Sequence, residues 1–196
     1  MLGTRAKAQR KRTHKKREIG RRVSWINKLR SPEVSAERKV DLMIKIPKIK
    51  DKKTRSNFRR VLVDLVKVNK KGKDKVTVTA FGVLLKMRVP ERTFKILTEL
   101  AFNNKYLLGV LAGDAVTKKN ISLVVRIGLS NEDVVRAITY SFMCKQFTTP
   151  QLKHAQALVK KRFPKSFVAE GNEVSIANDF LNVLSNEINR RAEKKH

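Results

Sequence analysis

Apolar positions recur along the chain with two different periods, which predict both helices and strands. In the first part of the chain, Ile19, Val23, Ile26 and Leu29 follow one another at intervals of three or four residues. That spacing predicts an amphipathic helix over residues 17–30.

The segments after this helix have the composition of extended structure. Pro32 ends the helix, because the residue before a proline is disfavoured in the helical conformation. Residues 41–60 mix alternating apolar positions with basic ones, which predicts an extended connector. Two runs rich in β-branched residues, 59–69 and 75–89, flank a polar loop that contains Gly72, a pattern typical of a β-hairpin.

The second half of the chain mixes predicted strands with predicted helices. Residues 121–129 predict a strand, and residues 166–176 predict a short hairpin. Helix-start signals are frequent, because serine, threonine, asparagine and aspartate cap helices and proline fits the first turn. These signals place helix starts at Pro90, Ser130, Thr149 with Pro150, and Asn178 or Asp179.

The predicted fold class is α+β, a compact mixed domain of antiparallel strands and packed helices that follows a long basic N-terminal arm. The arm with its amphipathic helix covers residues 1–34, and the basic extended connector covers residues 35–58. Within the α+β domain at residues 59–196, a β-hairpin at 59–89 precedes a helix-strand core at 90–196.

Residues 105–115 are mostly apolar or small, and as a helix they have no polar side except at the ends. Gly109 and Gly113 are four apart and therefore share one helical face. Each glycine costs a helix interior about 1 kcal/mol relative to alanine, so the pair predicts that another backbone approaches closely there. Asp114 lies at the unfavourable C-terminal end, which predicts a partner such as a lysine of the pair 118–119.

Residues 107–115 resemble the LAGLIDADG motif of homing endonucleases, intron maturases and related DNA-binding regulators. Leu107, Gly109 and Asp114 match the leucine, the first glycine and the second aspartate of that motif, while the other six positions differ. The order of predicted elements extends the resemblance over residues 105–196. It implies a homodimeric DNA endonuclease, in which two such helices pack through small residues and the carboxylate of Asp114 binds Mg²⁺ beside the scissile phosphate.

Positive charge is the strongest signal in the composition. The 196 residues include 46 lysines and arginines against 17 acidic residues, a net charge of +29. Residues 1–30 hold 12 basic residues and one acidic residue, Glu18, a net of +11. Residues 31–75 hold 15 basic and six acidic residues, a net of +9. A compact protein with this charge repels itself, so the expected partner is a polyanion.

The predicted nucleic-acid-binding residues are basic side chains of the arm, the connector and the hairpin turn, with one tryptophan that supplies an aromatic face. The arm helix is also compatible with a solvated basic helix or a cationic helix at a membrane surface. The turn lysines are also compatible with ordinary solvated turn positions. The predicted set is Arg5, Lys7, Arg10, Lys11, Arg12, Lys15, Lys16, Arg17, Arg21, Arg22, Trp25, Lys28, Arg30, Lys48, Lys50, Lys52, Lys53, Arg55, Lys70, Lys71 and Lys73.

Patterns for catalysis, metal binding and targeting are sparse. Cys144 is the single cysteine and the three histidines lack ligand spacing, so neither a disulfide framework nor a zinc cluster is predicted. Gly113 is not followed by the Lys-Ser/Thr of a phosphate-binding loop. The sequence contains no run of 18 apolar residues, so no membrane span is predicted. The N-terminus lacks the apolar core of a secretory signal, although its basic composition also fits an organellar transit peptide.

These observations predict a non-catalytic nucleic-acid-binding protein without a cofactor, which binds RNA in preference to DNA and contacts other proteins of a large assembly. A long basic arm on a compact body resembles the style of ribosomal proteins, which implies a structural role in a cytoplasmic or organellar ribonucleoprotein particle. Two alternatives remain open. One is the endonuclease, with Asp114, Mg²⁺ and a homodimer. The other is a viral nucleocapsid or coat subunit that packages nucleic acid in a virion. Each predicts a non-secreted, intracellular protein.

Overall fold

The computed structural model describes residues 20, 23–68, 74–87, 89–163 and 172–194. Throughout these ranges the regular structure is helical, and none of the described residues forms a strand. The elements are α1 (residues 23–30), α2 (Ala36–Lys45), a short 3₁₀ helix η1 (Ile46–Lys48), α3 (Lys52–Val68), α4 (Lys75–Lys86), α5 (Glu91–Phe102), α6 (Lys105–Thr117), α7 (Ile121–Gly128), α8 (Asp133–Gln146), α9 (Thr149–Arg162) and α10 (Asn172–Glu193).

The chain divides into two compact units, residues 1–94 and 95–196, and the division falls inside α5. In the first unit, α2 and α3 each pack against α4, and η1 contacts all three. In the second unit, α6 packs against α7 and α8, and α9 packs against α7 and α10. The first unit carries 30 basic and eight acidic residues, a net of +22, whereas the second carries 16 and nine, a net of +7.

The core of the first unit is built from one apolar side of each of its helices. Leu29 of α1, Met43 of α2, Phe58 of α3 and Phe81 of α4 are all fully buried. Helix α1 confirms the predicted amphipathic helix over residues 23–30, and it ends at the residue before Ser31-Pro32 as predicted.

The β-hairpin predicted for residues 59–89 is wrong. Its first run belongs to α3 and most of its second run belongs to α4. Phe58, Val61, Leu62 and Val66 are spaced as one side of a helix, and all four are buried. The strand preference of valine is weak and depends on context, so burial of this helical side outweighs it.

The extended connector and the strand over residues 121–129 are also wrong. The connector at residues 35–58 contains all of α2, η1 and the start of α3, and residues 121–128 form α7. Asn120 begins α7, because its side-chain oxygen accepts a hydrogen bond from the backbone nitrogen of Leu123 at 3.2 Å. The α+β class is therefore replaced by an all-helical class in the described residues.

The second hairpin, predicted for residues 166–176, lies partly outside the described residues. Residues 166–171 are not described, and residues 172–176 are the first turns of α10. Since those residues are helical, the predicted return strand of this hairpin is wrong.

Most of the predicted helix starts are confirmed within a few residues. Helix α5 begins directly after Pro90. Helix α9 begins at Thr149, where Thr148 and Gln151 form a reciprocal capping box. Helix α8 begins at Asp133, three residues after the predicted cap Ser130. Helix α10 begins at Asn172, six or seven residues before the predicted caps.

Two aromatic rings stack beside Gly128 in the core of the second unit. The rings of Tyr140 and Phe180 are stacked with centroids 4.6 Å apart. A Cβ atom on Gly128 would lie 2.7 Å from the ring of Phe180, whereas a Cβ on Gly109 or Gly113 would meet no atom within 4 Å. The close backbone approach predicted at the glycine pair of α6 is therefore wrong for the described residues. At Gly128 the close neighbours are aromatic side chains, not another backbone.

A charged cluster on α10 holds the C-terminal end of α8. The Nη1 atom of Arg191 donates to the carbonyl of Phe147 at 2.7 Å, and its Nη2 atom donates to the carbonyl of Cys144. Glu187 fixes this guanidinium by accepting from Nε of Arg191 at 2.6 Å, and it also accepts two bonds from Arg190 at 2.7 Å. The bonds from Arg190 and Arg191 lower the pKa of Glu187 from 4.5 to about 2, although burial opposes them.

Candidate nucleic-acid interface

A lysine corner, formed by Lys48, Lys50 and Lys52, projects from the first unit where η1 joins α3. Ile46 and Ile49 are buried and anchor this segment, so the lysines that alternate with them point to solvent. All three lysines are exposed. The contacts of η1 with α2, α3 and α4 hold the corner to the body of the unit.

A second group of cations forms a row along the outer side of α3. Lys53, Arg60 and Lys67 are seven residues apart, which is close to two helical turns, and all three are exposed. At 1.5 Å per residue the row extends about 21 Å along the helix. The helix therefore presents three regularly spaced positive charges on the side opposite its buried residues, together with the exposed carboxylate of Asp64 between Arg60 and Lys67.

The row was not predicted completely, because only Lys53 belongs to the predicted set. Arg60 and Lys67 lie in the run that the β-branched residues assign to a strand, where alternate side chains occupy opposite faces. A helical period through Phe58 and Leu62 places both cations on the outer side instead. The helical spacing of the apolar residues is therefore the sequence signal that could have identified Arg60 and Lys67.

The structure describes eight residues of the predicted binding set. Lys28 and Arg30 are exposed on α1, the lysine corner and Lys53 continue the cationic surface, and Arg55 is half-buried on α3. The remaining thirteen lie outside the described residues: Arg5, Lys7, Arg10, Lys11, Arg12, Lys15, Lys16, Arg17, Arg21, Arg22, Lys70, Lys71 and Lys73.

Trp25, the aromatic member of the predicted set, packs within the first unit. Its side chain is half-buried, and its ring centroid lies 6.5 Å from that of the fully buried Phe58. Such tilted ring pairs contribute about 1 kcal/mol beyond the area that they bury. The geometry gives Trp25 a contribution to the core that the sequence alone did not show.

The start of α3, beside the lysine corner, combines two lysines with one capping carboxylate. Asp51 accepts a hydrogen bond from the backbone nitrogen of Thr54 at 2.7 Å and so binds one of the free amides of α3. The first turn of α3 contains no acidic residue, although it contains Lys52 and Lys53. Because a helix N-terminus is itself positive, these lysines add to the potential of the helix rather than cancel it.

Asp114, the residue implied as a metal ligand by the LAGLIDADG resemblance, is paired with a lysine. Its Oδ2 atom lies 2.8 Å from Nζ of Lys118, one turn later on α6, which confirms the predicted lysine partner. The described residues contain no group of three or more His, Cys, Asp and Glu side chains placed to hold a metal ion. Asp114 is therefore not part of such a group among the described residues.

Cys144 lies half-buried on α8, in an environment that does not favour a thiolate. Burial raises the pKa of its thiol, and the negative charge of Glu187 raises it further, while Arg191 and Arg190 lower it less. A reactive cysteine needs the opposite shift, because the thiolate is the nucleophile. The geometry therefore provides no activated thiol at this position.

A groove of about 650 Å³ lies in the first unit beside α3 and α4. Its walls combine aliphatic side chains with two cations and two carboxylates, so they do not select ligands of one charge. The lining residues are Arg30, Lys39, Val61, Asp64, Leu65, Val68, Asp74, Val76 and Thr77.

Comparisons with family models, with curated proteins and with solved structures find no match to this chain. Separately, none of the helices in the described ranges is both long and apolar enough to cross a membrane.

Proposed function

We propose that this is a non-catalytic nucleic-acid-binding protein whose first unit contacts the phosphate backbone. The observation that carries the proposal is the set of exposed cations on the lysine corner and along the α3 row, where Asp64 is the one acidic residue of α3. These cations belong to a unit with a net charge of +22. Lysine and arginine bind phosphates with little dependence on sequence, and the release of counterions supplies much of the affinity.

The chemistry of the first unit favours contact with the backbone over contact with the bases. Proteins that hold single strands stack bases on exposed aromatic rings. Among the described residues of this unit, Phe58 and Phe81 are buried, and Trp25 and Phe94 are half-buried. We infer that the unit recognises the charge and shape of a folded or duplex polynucleotide.

RNA within a large ribonucleoprotein particle is the partner that we favour. A protein with a net charge of +29 needs many phosphates to neutralise it, and a particle rich in folded RNA provides them. Folded RNA also matches a surface that contacts backbone rather than bases, since double-stranded RNA is recognised mainly by its shape and phosphates. The role is then structural, and it requires no cofactor.

The α3 row provides the direct test of this proposal. We expect the triple variant Lys53→Gln, Arg60→Gln, Lys67→Gln to bind duplex RNA at least tenfold more weakly at moderate salt. We also expect the slope of log affinity against log salt to fall by about 2 to 3, since each lost phosphate contact removes about 0.9 on duplex DNA. Fluorescence anisotropy over a salt series measures both quantities.

A matched control has the same change of charge in the second unit. Lys153, Lys160 and Lys161 are exposed on α9, and their replacement by glutamine also removes three positive charges. We expect this variant to lose only about twofold in affinity, through the general field of the protein. Equal losses in the two triple variants would show that the α3 row is not the interface.

A further inference from the structure

Two pairs of an aromatic ring and a cation lie in the second unit, beside the junction of α5 and α6. The guanidinium carbon of Arg126, on α7, lies 4.2 Å from the centre of the Phe102 ring at the end of α5. The Nζ atom of Lys105 lies 5.7 Å from the centre of the Tyr106 ring at the start of α6. We call these four side chains the ring–cation patch.

A short junction keeps the two pairs near each other. Only Asn103 and Asn104 separate α5 from α6. The Oδ1 atom of Asn104 accepts hydrogen bonds from the backbone nitrogens of Tyr106 at 3.0 Å and Leu107 at 3.3 Å, which fixes the start of α6. Even a fully extended chain advances about 3.6 Å per residue, so the Cα atoms of Phe102 and Tyr106 are at most about 14 Å apart. Both rings are therefore within reach of one short strand.

The patch is open to solvent. Tyr106 is 43% exposed, Lys105 and Arg126 are exposed, and Phe102 is half-buried. At 4.2 Å the guanidinium of Arg126 is in van der Waals contact with the ring of Phe102, so one of its sides is occupied. The rest of this planar group is available to a further partner, and the ring restricts its orientation.

The cations of the patch do not serve to neutralise acidic side chains. Among the described residues, neither Arg126 nor Lys105 has an ion-pair partner. Glu99, which is exposed one turn before Phe102 on α5, forms no ion pair with Arg126. An anionic partner would therefore not have to displace a carboxylate from either cation.

This combination of groups matches the chemistry of an unpaired nucleotide. Bases that are not in a duplex stack on aromatic rings and on arginine planes, and neighbouring cations bind the phosphates of the same strand. We propose that the ring–cation patch binds unpaired nucleotides of RNA, with one base stacked on the Arg126–Phe102 pair and another on Tyr106. The inference rests on the proposed function and extends it from phosphate contacts in the first unit to base contacts in the second.

The test separates stacking from charge by comparing two strands. A short single-stranded oligouridine and an abasic strand of the same length carry the same phosphates, but only the first carries bases. We expect the wild-type protein to bind oligouridine about tenfold more tightly than the abasic strand, the scale of one stacked base. Fluorescence anisotropy at moderate salt measures both affinities.

Arg126→Lys keeps the charge and removes the planar group, so it is expected to lose most of the preference for oligouridine while its affinity for the abasic strand stays within about twofold. Tyr106→Leu is expected to weaken the preference as well. Arg162→Lys is the matched control, because exposed Arg162 lies 5.9 Å from the centre of the Phe163 ring, at the outer limit for such a pair. It is expected to keep the wild-type preference. Circular dichroism checks that the variants are folded.

Ultraviolet cross-linking of oligouridine to the wild-type protein tests the same site without any variant. Cross-links are expected at Phe102 or Tyr106, and a map without either residue would overturn the inference. Equal binding of the two strands by the wild type would also overturn it and leave the proposed function standing, as would happen if the patch contacted a protein partner instead. A preference that survives in Arg126→Lys would overturn the role of Arg126. A wild-type protein that binds neither strand nor duplex RNA would contradict the proposed function together with this inference.

Discussion

At the scale of single residues, Gly128 allows two aromatic rings to pack closely against the backbone at the end of α7. The ring of Phe180 lies 2.7 Å and the ring of Tyr140 lies 3.0 Å from the position that a Cβ would take, and the two rings are stacked. The hydroxyl of Tyr140 donates to the carbonyl of Gly128 at 2.6 Å. Burial raises the pKa of Tyr140 to about 12, so this hydroxyl remains a donor at neutral pH.

Gly128→Ala is expected to destabilise the protein by about 2 kcal/mol, because the buried ring of Phe180 has little freedom to move away from a new methyl group. Gly113→Ala is the matched control, since its methyl group meets no atom within 4 Å. It is expected to stabilise the protein by up to about 1 kcal/mol through helix propensity. Urea denaturation followed by circular dichroism measures both changes, and a neutral Gly128→Ala would contradict this account of the packing.

Glu187 predicts a pH dependence of stability. Because its pKa in the folded protein is about 2, below 4.5, the stability that its ion pairs provide is complete above pH 4.5 and is lost as the pH falls towards 2. Glu187→Gln is expected to cost about 2 kcal/mol at pH 7, the scale of a hydrogen bond to a charged group.

The difference in unfolding free energy between wild type and Glu187→Gln should therefore shrink as the pH is lowered from 5 to 3. Carboxylates common to both proteins cancel in that difference. A difference that stays constant across this range would show that the carboxylate charge of Glu187 does not contribute.

At the scale of helices, the end of α8 depends on a side chain from α10. Arg191 supplies donors to two carbonyls that the last turn of α8 leaves free, and it is only 22% exposed. Arg190 also binds Glu187, but its side chain is 52% exposed and no α8 carbonyl is among its partners. Both arginines therefore bind Glu187, and Arg191 also caps the end of α8.

Arg191→Met is expected to destabilise the protein by about 2 to 3 kcal/mol, because it leaves partly buried carbonyls without donors while keeping the aliphatic stem. Arg190→Met removes a mainly exposed pair and is expected to lower stability much less than Arg191→Met. Thermal unfolding of the two variants under the same conditions measures the difference. Equal effects would mean that the capping of α8 by Arg191 is not important.

The elements that sequence analysis predicted correctly are those with a local signal. Pro90 and the Thr148–Gln151 box mark helix starts through backbone chemistry that acts over three or four residues. Helices α3, α4 and α7 were assigned to strands because valine and isoleucine favour strands when no tertiary context is known. In α7 the context is burial on most sides, and apolar runs of this length fit a buried helix or a strand equally.

In the candidate interface, too, the residues that sequence analysis predicted are those with a local signal. Lys48, Lys50, Lys52 and Lys53 stand out by charge alone, and the structure shows them exposed. Arg60 and Lys67 required the correct period of α3 before their common side was visible. In α8 the sequence spacing predicts Val134, Val135, Ile138 and Phe142 as the buried side. Only Val135 of these four is buried, together with Thr139 and Met143.

At the scale of the whole molecule, much of the positive charge of the first unit lies before α1. Helix α1 sets how far the N-terminus can be shortened without the loss of a described core residue. Leu29 is fully buried, so a truncation that includes α1 would damage the core of the first unit. Removing residues 1–19 takes away eight basic residues and Glu18, a net loss of +7, and leaves α1 in place.

The truncated protein that begins at Gly20 is expected to bind RNA at least tenfold more weakly at moderate salt, with a shallower dependence on salt. Its unfolding midpoint in urea should match that of the full chain, because Leu29 and Trp25 are retained. Unchanged affinity in the truncated protein would assign binding to the lysine corner and the α3 row alone.

The first turn of α3 has a thermodynamic consequence for the free protein. Lys52 and Lys53 lie at the positive end of the helix dipole, which is electrostatically unfavourable, and the carboxylate of Asp51 at the same end offsets part of this repulsion. An anion that binds only the folded form removes that repulsion and shifts the folding equilibrium towards the native state. If that anion is a nucleic acid, as we propose, bound molecules should melt at a higher temperature than free ones, and surplus copies without nucleic acid should be more susceptible to proteolysis.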